Sequence, residues 1–279
     1  MSRIAEAFQR IRAEGRRGLI TYVTAGDPTL QRSGDVLRAL DRAGADLLEV
    51  GVPFSDPLAD GPVIQRASAR ALAAGATLDG VLRMVADVRT SVRAPIVLFS
   101  YANPIFRMGF AIFASRAADA GVDGVLTLDL PVEESDDIRS ALRGAGLDTI
   151  FMLSPTTTLD RMRRAGECGS GFLYAISRMG VTGARETIAT GVSELVQRIR
   201  SVSDLPVAVG FGLSRPEHVR AVGALADAAV VGSALVSMIA DAGDSPELVP
   251  RVEAYVRWLR GAGPGDGLQG AAASDGPRG

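Results

Sequence analysis

Eight short apolar runs, many of them β-branched, recur along the chain, and each is separated from the next by a longer stretch of helical period. They are Leu19–Thr24, Asp46–Val50, Ile96–Tyr101, Gly124–Leu128, Thr149–Leu153, Gly171–Ala175, Val207–Gly210 and Ala228–Val231. Nearly continuous apolarity is what parallel strands need when both faces are covered. The intervening stretches are amphipathic. In Leu248–Leu259 the apolar residues fall on one helical face with arginines opposite. The joints between helix and strand also repeat, as Ala43-Gly44-Ala45-Asp46, Ala120-Gly121-Val122-Asp123 and Ala145-Gly146-Leu147-Asp148. A glycine there can adopt the left-handed conformation that closes a helix. Eight βα units in roughly 250 residues predict a closed (β/α)8 TIM barrel, an α/β fold. A doubly wound open sheet is the alternative and ordinarily has fewer strands.

Ser2–Glu14 spaces Ile4, Ala7, Phe8 and Ile11 as a helix, expected to cover the lower mouth of the barrel. Residues 1–260 read as one barrel domain. Gly261–Gly279, rich in Gly, Ala, Asp and Pro, reads as a disordered tail. The 47% hydrophobic content excludes disorder for the rest, and no apolar run approaches the ~20 residues of a membrane span. The first residues lack a secretory apolar core, which predicts a cytoplasmic protein.

All 30 basic residues are arginine. Without lysine, the chain can form no Schiff base, hold no pyridoxal phosphate covalently and build no P-loop. One histidine, His218, and one cysteine, Cys168, exclude a multi-histidine metal site, a cysteine cage and an internal disulfide, so no metal is expected. A net charge of −2 gives no reason to expect nucleic acid. Any acid and base should be carboxylates. His218 follows a helix-opening Ser214-Arg215-Pro216-Glu217 and reads as a solvent-side helix residue; Cys168 reads as structural.

Function in such barrels sits at the C-terminal ends of the strands. Glu49 lies inside the second apolar run, where desolvation should raise its pKa and let it exchange a proton near neutrality. The competing reading is a rim carboxylate paired with arginine. The loop after it holds Asp56 and Asp60 and is stiffened by Pro53, Pro57 and Pro62. An isolated aspartate there would ordinarily cap a turn or a helix.

The run Leu48-Glu49-Val50-Gly51-x-x-Phe54-Ser55-Asp56-Pro57-Leu58-Ala59-Asp60-Gly61 resembles the signature of the tryptophan synthase alpha chain family. The resemblance spans roughly residues 1–260. It continues through Tyr22–Pro28, Tyr101-Ala102-Asn103-Pro104, Pro131–Ser135, Tyr174–Gly183, Gly210–Ser214 and Gly232-Ser233-Ala234. It implies retro-aldol cleavage of 1-C-(indol-3-yl)glycerol 3-phosphate to indole and glyceraldehyde 3-phosphate, with no cofactor in this chain. Glu49 matches the family's proton shuttle and Asp60 the carboxylate that accepts the indole N1–H bond. Tyr22, standing where some members have phenylalanine, and Tyr174 match aromatics of the indole pocket; their alternative is core packing. Phe99, Tyr101 and Asp129 are expected at the pocket or rim, although an aspartate at a strand end often caps a helix.

Phosphate is expected in the glycine-rich loops after strands six, seven and eight. There Gly183, Gly212, Gly232 and Ser233, with Phe211 alongside, bring backbone N–H groups close, and a helix opening at Ser233 points its positive end at the dianion. Arg178–Thr190 resembles the family's lid, with Thr182 reaching Asp60 on closure. The resemblance also implies a beta-chain partner carrying pyridoxal phosphate, in an alpha2-beta2 heterotetramer. Contacts are expected around Pro53–Leu58, including Asp56 and Pro57, and in Asn103–Gly109. Three alternatives remain open: a stand-alone lyase releasing free indole, a non-catalytic activator subunit, and another phosphosugar barrel such as an isomerase. The two carboxylates argue against the activator, and the Glu49-to-Gly61 motif against the isomerase.

Overall fold

The computed structural model describes residues 1–176, 185–210 and 212–262, with residues 185–190 in backbone only. Eight parallel strands close a barrel in sequence order: β1 (Gly18–Thr24), β2 (Leu47–Gly51), β3 (Ile96–Ser100), β4 (Gly124–Thr127), β5 (Asp148–Leu153), β6 (Leu173–Ile176), β7 (Val207–Gly210) and β8 (Ala228–Val231). Around it run α1 (Arg3–Ala13), α2 (Leu30–Arg42), α3 (Pro62–Ala73), α4 (Leu78–Arg89), α5 (Ala102–Met108) and α6 (Phe110–Asp119). They are followed by α7 (Asp136–Gly144), α8 (Leu159–Cys168), α9 (Arg185–Arg200), α10 (Pro216–Gly223), α11 (Ser233–Ala242) and α12 (Leu248–Leu259). The open-sheet alternative is thereby removed.

All eight expected strands form, and their ends differ from the sequence reading by two residues at most. The largest shift is in β6, expected from Gly171 but starting at Leu173, because Gly171 takes φ +75°, a turn conformation outside the strand region. The repeated joints behave as their glycines require: Gly44, Gly121 and Gly146 sit at φ +94°, +84° and +76°. The expected tail from 263 onward lies outside the described residues.

Two buried shells hold the barrel. The outer one packs the strands' outward side chains against the helices, and α12 contributes Leu248, Val252, Tyr255, Val256 and Leu259 to it. The inner one fills the barrel itself. Its lower plug is the buried stripe of α1, where Ile4, Ala7, Phe8 and Ile11 meet Ile20, Leu47, Leu126, Ile150 and Phe172. The Phe8 and Phe172 rings lie 5.7 Å apart. Ser2 caps α1 by accepting the Ala5 N–H. With the bottom closed by apolar side chains, the open end is the C-terminal one.

At the lower rim, aspartates tie adjacent strands together. Asp46, before β2, accepts the Leu19 N–H of β1 at 2.8 Å and pairs with Arg16 and Arg260. Asp123, before β4, accepts the Ile96 N–H of β3 at 2.7 Å beside Arg89. Asp227, before β8, accepts the Val207 N–H of β7 at 2.9 Å beside Arg200.

Candidate active site

Glu49 is the middle residue of β2, level with Tyr22 of β1 and Val97 of β3. Strand alternation turns it into the barrel, above the plug. It is 0% exposed, and neither carboxyl oxygen has a hydrogen-bond partner among the described residues. Burial alone pushes its carboxyl up to about 8. The arginine-paired reading is excluded among the described residues, since no ion pair reaches it there.

The polypeptide then leaves β2 and returns at Gly61 to start α3, with Pro62 in its first turn. Asp60 stands just before that start. It is half-buried, and its Oδ2 accepts the Tyr101 hydroxyl at 3.1 Å, while the same hydroxyl accepts the Ala59 N–H at 3.0 Å. Burial pushes the Asp60 carboxyl up to about 6, the Tyr101 bond acting in the opposite direction. Tyr101 was expected at the pocket rim; the bond to Asp60 carries no sequence signal, because it crosses from one loop to another. A second aromatic, Phe54, packs on the Tyr101 ring at 5.0 Å.

An aromatic wall faces the two carboxyls. Tyr22 and Phe99 meet edge to face at 5.2 Å, and Phe99 and Tyr174 at 6.3 Å. Burial, with Asp60 and Glu49 nearby, holds the Tyr22 phenol neutral well above its ordinary range. Its hydroxyl lies 3.5 Å from the Thr24 hydroxyl. Tyr22 and Tyr174 need matching space on the next strand. A Cβ on Gly51 would overlap the Tyr22 hydroxyl, and one on Gly210 the Tyr174 hydroxyl. In both cases the glycine stands two residues past the tyrosine's register partner, Glu49 in one and Ala208 in the other. Sequence reasoning missed this pairing. It also missed Leu128, Met152, Val63 and Ile64, which pack on the inner shell; the alternation Leu126–Leu128 and Ile150–Met152 carries the signal for the first two.

Asp129 serves a local role: its Oδ1 accepts the Ala102 N–H at 2.7 Å, at the opening of α5. It also lines a cavity of about 300 Å³ at the ends of β4 and β5, with Leu128, Met152, Phe151, Thr157 and Arg161. Glu49 and Asp60 are not part of that lining. Across the mouth, Gly212 takes φ +69° and is exposed, and Gly232 precedes α11, which opens at Ser233. Gly232 lies against the Tyr22 side chain, so β8's loop and the aromatic wall adjoin. Thr182, Gly183 and Phe211, and the expected lid up to residue 184, lie outside the described residues; its expected last part is already helix, since α9 starts at Arg185.

Two further expectations need correction. Pro53 is buried within the chain and offers no surface to a partner, because the loop folds it inward behind the exposed tip; Asp56, Leu58 and Asn103 are exposed and Pro57 is half-exposed. His218 is not a solvent-side residue: it is half-buried and its Nδ1 accepts the Ser214 N–H at 3.3 Å.

A closed (β/α)8 barrel with two carboxyls of raised pKa at its C-terminal mouth belongs to the class of barrel enzymes that build acid–base sites from strand ends. The family follows from comparison. The family model described as tryptophan synthase alpha chain matches residues 8–260. The tryptophan synthase alpha chain of Solibacter usitatus is 46% identical over 260 residues, covering 93% of this chain and 97% of that one. That of Burkholderia thailandensis is 49% identical over 264 residues, covering 94% and 97%. The crystal structure of tryptophan synthase subunit alpha from Legionella pneumophila superposes with a TM-score of 0.85 at 36% identity, covering 93% of this chain and 97% of that one. The chain belongs to the tryptophan synthase alpha chain family.

Proposed function

We infer that the chain is the lyase subunit that cleaves 1-C-(indol-3-yl)glycerol 3-phosphate to indole and D-glyceraldehyde 3-phosphate in tryptophan biosynthesis, with Glu49 as its proton shuttle. One observation carries the reading: a fully buried carboxyl stands unpartnered among the described residues in an aromatic-walled barrel mouth, where burial pushes its pKa up to about 8. Protonated Glu49 delivers its proton to indole C3. The ring becomes an indolenine whose C=N can accept an electron pair. The resulting Glu49 carboxylate takes the proton of the hydroxyl on the adjacent glycerol carbon. As that oxygen forms the aldehyde carbonyl, the C–C bond to C3 breaks and its electrons restore the indole. Glu49 ends protonated, as it began.

Asp60 accepts the indole N1–H bond and stabilises the positive charge that builds on N1 as C3 is protonated. It must be ionised to do so, and its lower pKa of about 6 suits that task as Glu49's about 8 suits the acid. Tyr22, Phe99, Tyr101 and Tyr174 supply the apolar walls around the ring. Gly212, Gly232 and Ser233 hold phosphate, joined in this reading by Gly183 and Phe211, while Thr182 reaches Asp60 on lid closure; Asp129 fixes the neighbouring rim.

The reaction uses the indole ring as its electron sink, and the chain has no lysine for an iminium alternative. No cofactor is therefore needed in this chain; pyridoxal phosphate belongs to the beta chain. Leu58 is 91% exposed and Phe106 69%, beside Asp56, Pro57 and Asn103. Such apolar side chains in water support the loop after β2 and helix α5 as the docking surface for the beta chain in an alpha2-beta2 assembly. No helix among the described residues is long and apolar enough to cross a membrane, which accords with a cytoplasmic location. The test is to incubate the purified protein with indoleglycerol phosphate and assay indole, with and without a beta chain. Indole release stimulated by the partner supports the reading. Equal turnover without it indicates a stand-alone lyase, and no indole in either sample refutes the assignment.

A further inference from the structure

The loop after β7 is fastened from behind by side chains that the chemistry above does not use. Gly212 is exposed and takes φ +69°. Leu213, next to it, buries its side chain in the outer core. Ser214 then has both backbone groups taken by side chains of separate helices. Its N–H donates to Nδ1 of His218 in α10 at 3.3 Å, and its C=O accepts the Tyr255 hydroxyl of α12 at 2.8 Å. A backbone N–H can only donate, so Nδ1 carries no proton and the ring bonds in its neutral form. His218 is the third residue of α10, and its side chain reaches back past the helix start, as the acidic residue of a capping box does. Tyr255 is 3% exposed, and its ring packs beside Trp258 at 5.8 Å. Helix α12 follows the last strand, so its tyrosine reaches the site from the outer layer.

We propose that Tyr255 and His218 are positioning residues for the phosphate end of the substrate: gripping Ser214 from both sides, they fix the backbone at Gly212 in the course that admits the dianion. This rests on the reading of Gly212, Gly232 and Ser233 as the phosphate loops. A preformed anion cradle loses affinity when its backbone is free to wander, since ordering it must then accompany binding. The step affected is phosphate capture, not proton transfer at Glu49.

Tyr255→Phe keeps the ring and its packing and removes only the hydroxyl. His218→Ala removes the acceptor, and His218→Asn offers an amide oxygen near the place of Nδ1. The clamp predicts that Tyr255→Phe and His218→Ala each raise KM for indoleglycerol phosphate, and Kd for glycerol 3-phosphate, about 5- to 20-fold. It predicts that kcat stays within about twofold, that the affinity for indole, which carries no phosphate, is unchanged, and that His218→Asn recovers most of the loss. A Gly212→Asp variant, measured with the same glycerol 3-phosphate probe, separates the two claims. If Gly212→Asp weakens binding while Tyr255→Phe and His218→Ala do not, the clamp is refuted and the phosphate reading stands. If Gly212→Asp also leaves Kd unchanged, the phosphate reading falls and the clamp with it. An equal loss of indole affinity in the clamp variants points to general damage and overturns the proposal.

Discussion

At the lower rim of the barrel Asp46, 5% exposed, sits among a backbone N–H and two arginines; at the upper mouth Glu49, 0% exposed, has no partner among the described residues. The two lie three residues apart in sequence, at the start and the middle of one strand's run. Asp123 stands between these extremes: burial raises its pKa, while the Ile96 N–H, Arg3 and Arg89 work the other way. A carboxylate compensated at the bottom of the barrel holds strands together. One left uncompensated at the top keeps its proton and can give it away. The difference matches the division of labour in such barrels, where the lower face serves stability and the upper face chemistry.

Glu49→Gln keeps shape and neutrality but cannot pass a proton, so indole release should fall below detection while substrate binding stays within about tenfold; steady-state kinetics with an equilibrium binding assay checks both. Asp60→Asn should cost at least ~10²-fold in turnover, as charge on N1 goes unanswered. Near-parent rates in either variant would defeat the assignment. The pH dependence of kcat/KM should be bell-shaped, falling below about 6 as Asp60 gains a proton and above about 8 as Glu49 loses one.

Stability sharpens the contrast further. Well below pH 4.5 Glu49 is protonated whether the chain is folded or not, and its ionisation adds no penalty to folding. Between 4.5 and about 8 only the unfolded chain ionises, so the penalty grows with pH and levels off above about 8 at about 5 kcal/mol. Glu49→Gln should therefore match the parent in denaturant melts at pH 4 and exceed it at pH 9. Asp46→Ala should do the reverse of Glu49→Gln at neutral pH, losing about 3 kcal/mol by stranding Arg16, Arg260 and the Leu19 N–H while the folded enzyme keeps its kcat.

Much of this barrel can be read directly from the chain. Strand number and order follow from apolar runs and from the glycines at 44, 121 and 146 whose positive φ closes the helices before β2, β4 and β5, because both are local and periodic. Glu49 stands out for a similarly local reason, as a charge inside an apolar strand. What crosses between elements left no pattern. The Tyr101–Asp60 bond joins two loops, the Tyr22–Gly51 and Tyr174–Gly210 fits depend on register between strands, and His218 turned inward because of Ser214, four residues away on the other side of a helix start. Pro53 was misplaced for a related reason, since a loop's composition does not say which of its prolines faces inward.

The proposed chemistry depends on the ionisation of one side chain. Titration of the enzyme with ¹³C-labelled glutamate by NMR, with the Glu49 carboxyl signal identified by its loss in Glu49→Gln, measures it directly. A midpoint near 8 is expected for that signal in the empty enzyme; a midpoint near 4.5 would mean that Glu49 is an ordinary carboxylate at neutral pH, with no proton to give to indole.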